Sequence, residues 1–160
     1  MSKRIDVTVA AVIEHDDRFL LVEEMVGGTP VLNQPAGHLE PGESLAEAAV
    51  RETLEETGYG FTPREVVGIY LWKSEESGIT FLRVAFCGTA VAPAATPRLD
   101  DGIVAVHWLS RGQLLSRGAQ LRSPMVLHCI EDFQSGTRFP LACLRHLGTQ
   151  LDPHFARASA

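Results

Sequence analysis

A chain of 160 residues with 45% hydrophobic side chains is long enough to bury a core and too apolar to be a disordered protein. Its formal net charge of −6 argues against a surface built for a nucleic-acid polymer, which needs clustered Lys and Arg. An anionic substrate stays open, because a bound cation inverts a local field. The length fits one domain spanning 1–160. Three cysteines, Cys87, Cys129 and Cys143, are an odd number with no metal-ligand spacing, so a reduced, cytoplasmic setting is the simplest expectation. The apolar run VTVAAVI is short, follows Asp6 and leads into charged residues, so it predicts a strand and neither a signal peptide nor a membrane span.

In chain order, IDVTVAAVI and RFLLVEE are β-rich runs separated by EHDD, which predicts a hairpin or adjacent strands. MVGGTP is a turn, and VLNQPAG an extended segment ending at Gly37. Ser44 and Glu47 have the spacing of a capping box, so a helix is expected from Leu45 to Thr57, with Gly58 as a left-handed C-terminal cap. REVVGIYLW and ITFLRVAFCGTA predict further strands. APAATPRLDDG is a Pro/Ala loop ending in two acids, and IVAVHWLS predicts the last strand of the sheet. RGQLLS and SPMVLHCIEDFQ predict helices, the second capped by Ser123 with Pro124 at its first position. SGTRFPL is a turn with a short extended piece, and the tail HFARASA is expected to be mobile. Strands, helix, strands, helix point to an α/β or α+β sandwich in which a mixed sheet lies between helices.

The predicted helix 45–57 carries Glu52, Glu55 and Glu56 at i, i+3 and i+4, so their carboxylates fall within about 100° of arc. Val50 and Leu54, with Ala46, point the other way and predict the buried face. Like charges at these spacings cost about 0.2–0.5 kcal/mol per pair. Only Arg51 is nearby to offset them, and Glu47 with Arg51 predicts a favourable i, i+4 pair. A solvated acidic face is the plain reading of such a run. The Gly- and Pro-bearing loop GHLEPGE that feeds the helix favours a cation site, with Gly37 and Glu43 reaching back over the carboxylates. Oxygen donors suit hard cations, Mg²⁺ best and Mn²⁺ as a substitute. The six histidines include no H-x-x-x-H pair, which argues against zinc.

Gly37, five residues, Glu43, seven residues, then RETLEETGY match the box G-x5-E-x7-R-E-U-x-E-E-x-G-U, and on these residues the chain resembles a Nudix hydrolase. The first U, usually a bulky aliphatic, is Thr53, whose methyl can still pack; the second is Tyr59. The flanks VLNQPAGHLE, FLRVAF and LRSPMVLHCIEDFQSGTRFPL are similar to the NudJ type of Nudix phosphatase. The resemblance implies a Nudix-type α/β/α sandwich. It also implies Mg²⁺-dependent hydrolysis of nucleoside di- and triphosphates, thiamine diphosphate and hydroxymethylpyrimidine pyrophosphate. By position, Glu52, Glu55 and Glu56 would bind the metal with the Gly37 carbonyl, Arg51 would hold the carboxylates, and Glu43 would assist at the metal or orient the water. An acid from outside the box is expected at Asp100 or Asp101, with Glu43, Glu56 and Asp101 competing as the base.

Substrate contacts are expected at four further residues. Trp72 can stack on a heterocycle or simply pack at a strand end. Arg83, in an apolar strand, needs an anionic partner, either phosphate or an internal carboxylate. Arg122 and Ser123 sit at a helix start where backbone N–H groups favour anions, with plain capping by Ser123 the simpler reading. His38 faces either the phosphates or solvent. Two alternatives stand beside the phosphatase reading. One is hydrolysis of ADP-ribose, dinucleoside polyphosphates or oxidised nucleotides. The other is a non-catalytic Nudix-fold binding domain. The expected partner is a small phosphorylated substrate, with the chain a monomer or homodimer.

Overall fold

In the computed structural model, residues 5–147 are described. The tail HFARASA lies outside the described residues. The chain runs β1 (Ile5–Val12), β2 (Glu14–His15), β3 (Arg18–Val26), β4 (Thr29–Asn33), β5 (Ala36–His38) and α1 (Leu45–Thr57). It continues through β6 (Gly60–Lys73), β7 (Thr80–Val91), β8 (Ile103–Ser110), α2 (Arg111–Ser116), α3 (Met125–Gln134) and β9 (Phe139–Pro140).

The alternation in β1 decides the layering. Val9 and Ala11 face one side, Ala10 and Val12 the other, and all four are buried, as expected of a strand covered on both faces. Ala48 and Ala49 of α1 pack with Val9, Ala11, Leu20, Val84 and Phe86 in one core. Val126, Cys129 and Ile130 of α3 pack with Ala10, Val12, Leu21, Ala85 and Cys87 in the other. The result is the expected α+β sandwich. Its strands are divided between a five-stranded sheet, ordered β5-β1-β7-β6-β9, and a four-stranded sheet of β2, β3, β4 and β8. The first is mixed, because β1 runs parallel to β7 and antiparallel to β5.

Several expectations change. IDVTVAAVI and RFLLVEE form no hairpin together: β1 belongs to the first sheet and β3 to the second. The hairpin is β2 with β3, turned by Asp16 and Asp17 at φ 50° and 59°. IVAVHWLS, as β8, pairs with β3 in the second sheet, and β9 follows it on the edge of the first.

The helix α1 starts and stops where expected. Ser44 and Glu47 form the reciprocal capping box, and Gly58 takes φ 76° with its N–H on the Leu54 carbonyl. Ser44→Ala is expected to cost about 1 kcal/mol, read as a fall of roughly 2–4 °C in Tm. Its buried face agrees with the predicted one in part: Ala46 and Val50 are half-buried against the core, but Leu54 is not. Leu54 is 53% exposed, and the buried residues are Ala48, Ala49, Glu52, Thr53, Glu56 and Thr57. Small side chains let the helix lie close to the sheet. Thr53 and Thr57 remain buried because their hydroxyls donate to the carbonyls of Ala49 and Thr53. The cap of α3 is also corrected. Pro124 holds the cap position with helical angles, no side chain caps the helix, and the Ser123 hydroxyl has no hydrogen-bond partner.

Candidate active site

Close approach of α1 to the sheet carries Glu52 and Glu56 inward with it, leaving them 9% and 7% exposed. The backbone N–H of Ala36, at the start of β5, donates to Glu56 Oε2 at 2.9 Å. Burial pushes the Glu56 carboxyl up to about 8, the Ala36 N–H opposes this, and the charges of Glu52, Glu24 and Asp100 add to it. Glu52 is also raised by burial, with Arg51 pulling against it.

Next along β5, Gly37 lies against Glu52. A Cβ built on Gly37 would stand 2.1 Å from the Glu52 carboxyl carbon, so the carboxylate fills the space that any side chain here would need.

Arg51 ties the acids together. Its Nη2 and Nε donate to the two oxygens of Glu43 at 2.7 and 3.0 Å. Its Nη1 donates to Glu52 at 2.8 Å and to Glu55 at 3.2 Å, and Nη2 also reaches the His38 carbonyl at 3.0 Å. The fork against Glu43 is the bidentate geometry that favours arginine over lysine. It holds the Glu43 carboxyl below its ordinary range and raises the guanidinium in turn. The expected Glu47–Arg51 pair is replaced: Glu47 accepts from the Ser44 N–H at 2.7 Å, and Arg51 serves the loop and the acidic face. Glu40 is exposed, 3.9 Å from Arg51, and lines the cavity beside them.

A cavity of about 400 Å³ opens beside these groups. Gly37, His38, Glu52, Glu56, Trp72, Arg83 and Arg122 all line it, so seven of the predicted site residues meet there. Glu43, Arg51 and Glu55 stand behind the acidic wall, joined to it through the guanidinium. Asp101 is exposed in the turn before β8; its neighbour Asp100 is the acid whose charge acts on Glu52 and Glu56. His38 Nε2 sits 3.1 Å from Asp6. Trp72 stacks on Phe81, rings 5.8 Å apart and 20° from parallel. Arg122 pairs with Glu24 at 3.4 Å.

Arg83 is 5% exposed, and its partners are neutral: Gln34 Oε1 at 3.2 Å and Asn33 Oδ1 at 3.3 Å. The Cys129 thiol also stands beside it, and the charge of Glu24 acts on it, but among the described residues Arg83 forms no salt bridge with a carboxylate. Asn33 and Gln34 were not singled out from the sequence. The one signal for them was a pair of amides between an apolar run and Pro35.

Among the described residues no three His, Cys, Asp or Glu side chains already form a metal-ligand cluster; Glu52 and Glu55 are engaged by Arg51. The donor set still fits a hard cation. It is all oxygen, and the Glu56 carboxyl is pushed up by burial and further by the charges of Glu52, Glu24 and Asp100, a condition that a cation relieves. Among the described residues no helix is long and apolar enough to cross a membrane.

Residues 3–129 match the family described as the NUDIX domain. The chain is 40% identical over 135 residues to Phosphatase NudJ of Shigella boydii serotype 4 (strain Sb227), covering 84% of this chain and 87% of the relative. Among solved structures it is similar to a NUDIX hydrolase from Nitrosomonas europaea, with TM-score 0.89 and 47% identity over 92% of this chain and 100% of the other. At 20% identity and TM-score 0.69, over 85% of this chain and 43% of the other, it shares its fold with a Francisella tularensis enzyme. That enzyme is a bifunctional NMN adenylyltransferase/ADP ribose pyrophosphatase, solved with AMP and an Mn ion.

Proposed function

This chain belongs to the NUDIX domain family and is a hydrolase of that family, and from that premise we propose that it hydrolyses a phosphoanhydride bond in small diphosphate compounds with Mg²⁺. The substrates proposed are nucleoside di- and triphosphates, thiamine diphosphate and hydroxymethylpyrimidine pyrophosphate. The observation that carries this reading is the polarity of the cavity: buried Glu52 and Glu56 line it beside β5, buried Arg83 lines it from β7, and Trp72 lines it from the next strand, β6.

Glu52, Glu55, Glu56 and the Gly37 carbonyl would hold the cation. When bound, it neutralises phosphate charge and lowers the pKa of a coordinated water. Arg51 fixes the carboxylate array and Glu43 locks Arg51 to the loop. The base that takes the proton of the attacking water is proposed among Glu43, Glu56 and Asp101, with Asp100, whose charge acts on Glu52 and Glu56, next to the last. Trp72, backed by Phe81, offers a flat apolar wall for a heterocycle. The Mn ion of the Francisella tularensis enzyme supports Mn²⁺ as a substitute. We place the chain in the cytoplasm as a single domain, acting as a monomer or homodimer.

The test is a substrate panel with Mg²⁺ that scores phosphate against pyrophosphate release. Mg²⁺-stimulated release from at least one proposed diphosphate is expected. No release from any compound, including ADP-ribose and dinucleoside polyphosphates, would overturn the enzymatic reading and favour a binding domain.

A further inference from the structure

Two polar atoms lining the cavity are buried without a partner, Arg83 Nε and Ser123 Oγ, on residues 5% and 6% exposed. Leaving them so is costly. A guanidinium away from water loses its hydration, and two amide oxygens, the Cys129 thiol and the charge of Glu24 recover only part of it. An unpaired hydroxyl adds its own desolvation penalty. Both residues line the same cavity. Arg83 supplies the charge, and Ser123 stands before α3, whose first turn no side chain caps. The nearby acid, Glu24, is already paired with Arg122.

We infer that Arg83 and Ser123 form a phosphate subsite at the floor of the cavity, which receives the terminal phosphoryl group of the substrate. This rests on the reading of the chain as a phosphoanhydride hydrolase. A neutral heterocycle would leave the buried charge uncompensated, whereas phosphate oxygens accept from both the free Nε–H and the free hydroxyl. The position suits a phosphoryl group that bridges to the acidic wall. Gln34, which receives Arg83, is two residues from Ala36, which anchors Glu56, so the backbone between them spans at most about 7 Å. The rest of the substrate then points outward. Trp72, Arg122 and Ser123 also border a second groove, of about 610 Å³, leading away from the cavity.

Equilibrium titration of the full chain with inorganic phosphate, in Mg²⁺ buffer and without turnover, tests this directly. Arg83→Gln is expected to weaken phosphate binding by roughly tenfold to a hundredfold, and Ser123→Ala by several-fold. Arg83→Lys is expected to restore part of the loss. Binding of a nucleoside monophosphate, which can still use Trp72, should change less than binding of phosphate. The Tm of Arg83→Gln should hold or rise, since an uncompensated buried charge has been removed; a merely structural arginine would lower it. If Arg83→Gln does not fold, Arg83→Lys and Ser123→Ala decide. Unchanged phosphate affinity in the folded variants overturns the subsite, as does a loss confined to the monophosphate. Failure of every diphosphate to be hydrolysed would sink the enzymatic reading while leaving this binding result to be read on its own.

Discussion

Glu56→Gln is expected to cut turnover on the order of a thousandfold while leaving the protein folded. A carboxylate lost from a cation site forfeits several kcal/mol of transition-state stabilisation, at about 1.36 kcal/mol per tenfold in rate. Glutamine keeps the shape, and its carbonyl can still accept from the Ala36 N–H. Without metal, burial holds Glu56 protonated up to about pH 8 against an ordinary value of 4.5. A raised carboxyl contributes stability that is fully present below its unfolded pKa and lost as pH rises through its folded one. Metal-free wild type should therefore lose Tm across that window, more than the glutamine variant does, and Mg²⁺ should restore it. Parallel melting curves from pH 5 to 9 read the difference; turnover above a tenth of wild type would remove Glu56 from the metal site.

Gly37→Ala is expected to separate activity from stability. The new Cβ would stand 2.1 Å from the Glu52 carboxyl, too close for both to stay. The obstacle is the free end of a side chain, so the carboxylate swings aside and the backbone need not move. Stability should fall by no more than about 1 kcal/mol. Activity should fall by about a hundredfold, the scale of an ångström's misplacement at a reacting centre. Added Mg²⁺ or Mn²⁺ should recover part of it, if the lost property is metal affinity. An active Gly37→Ala enzyme would show that Glu52 has room to spare.

Local chemistry was the most legible part of the sequence. Ser44, Glu47 and Gly58 set the ends of α1 through bonds within a few residues, and such bonds can be read from spacing. The gathering of Gly37, Glu52, Glu56, Trp72 and Arg83 on one cavity follows the Nudix box and its flanks. The buried face of α1 was legible at Ala46 and Val50 but misread at Leu54, because Ala, Thr and Glu carry little hydrophobic signal while Leu54 carries much and faces solvent. Thr53 and Thr57 bury polar atoms by satisfying them within the helix, which composition does not reveal. The partition of β1 and β3 between two sheets depends on long-range pairing, to β7 and β8 respectively. The two unpartnered atoms at the cavity floor are likewise a property of three-dimensional packing.

The double burial of β1 bears on how this chain can vary. Its even positions run from Thr8 on the cavity wall through Ala10 and Val12 under α3, and its odd positions lie under α1. Adding or deleting one residue would exchange the two layers at once. Small and branched side chains would trade places with little apolar exposure, so the first casualty would be Thr8, lost from the cavity wall. Length change in this strand is thus closed to the chain even where substitution is open. Turns such as Gly27–Gly28, exposed and already at positive φ, are where insertions can accumulate.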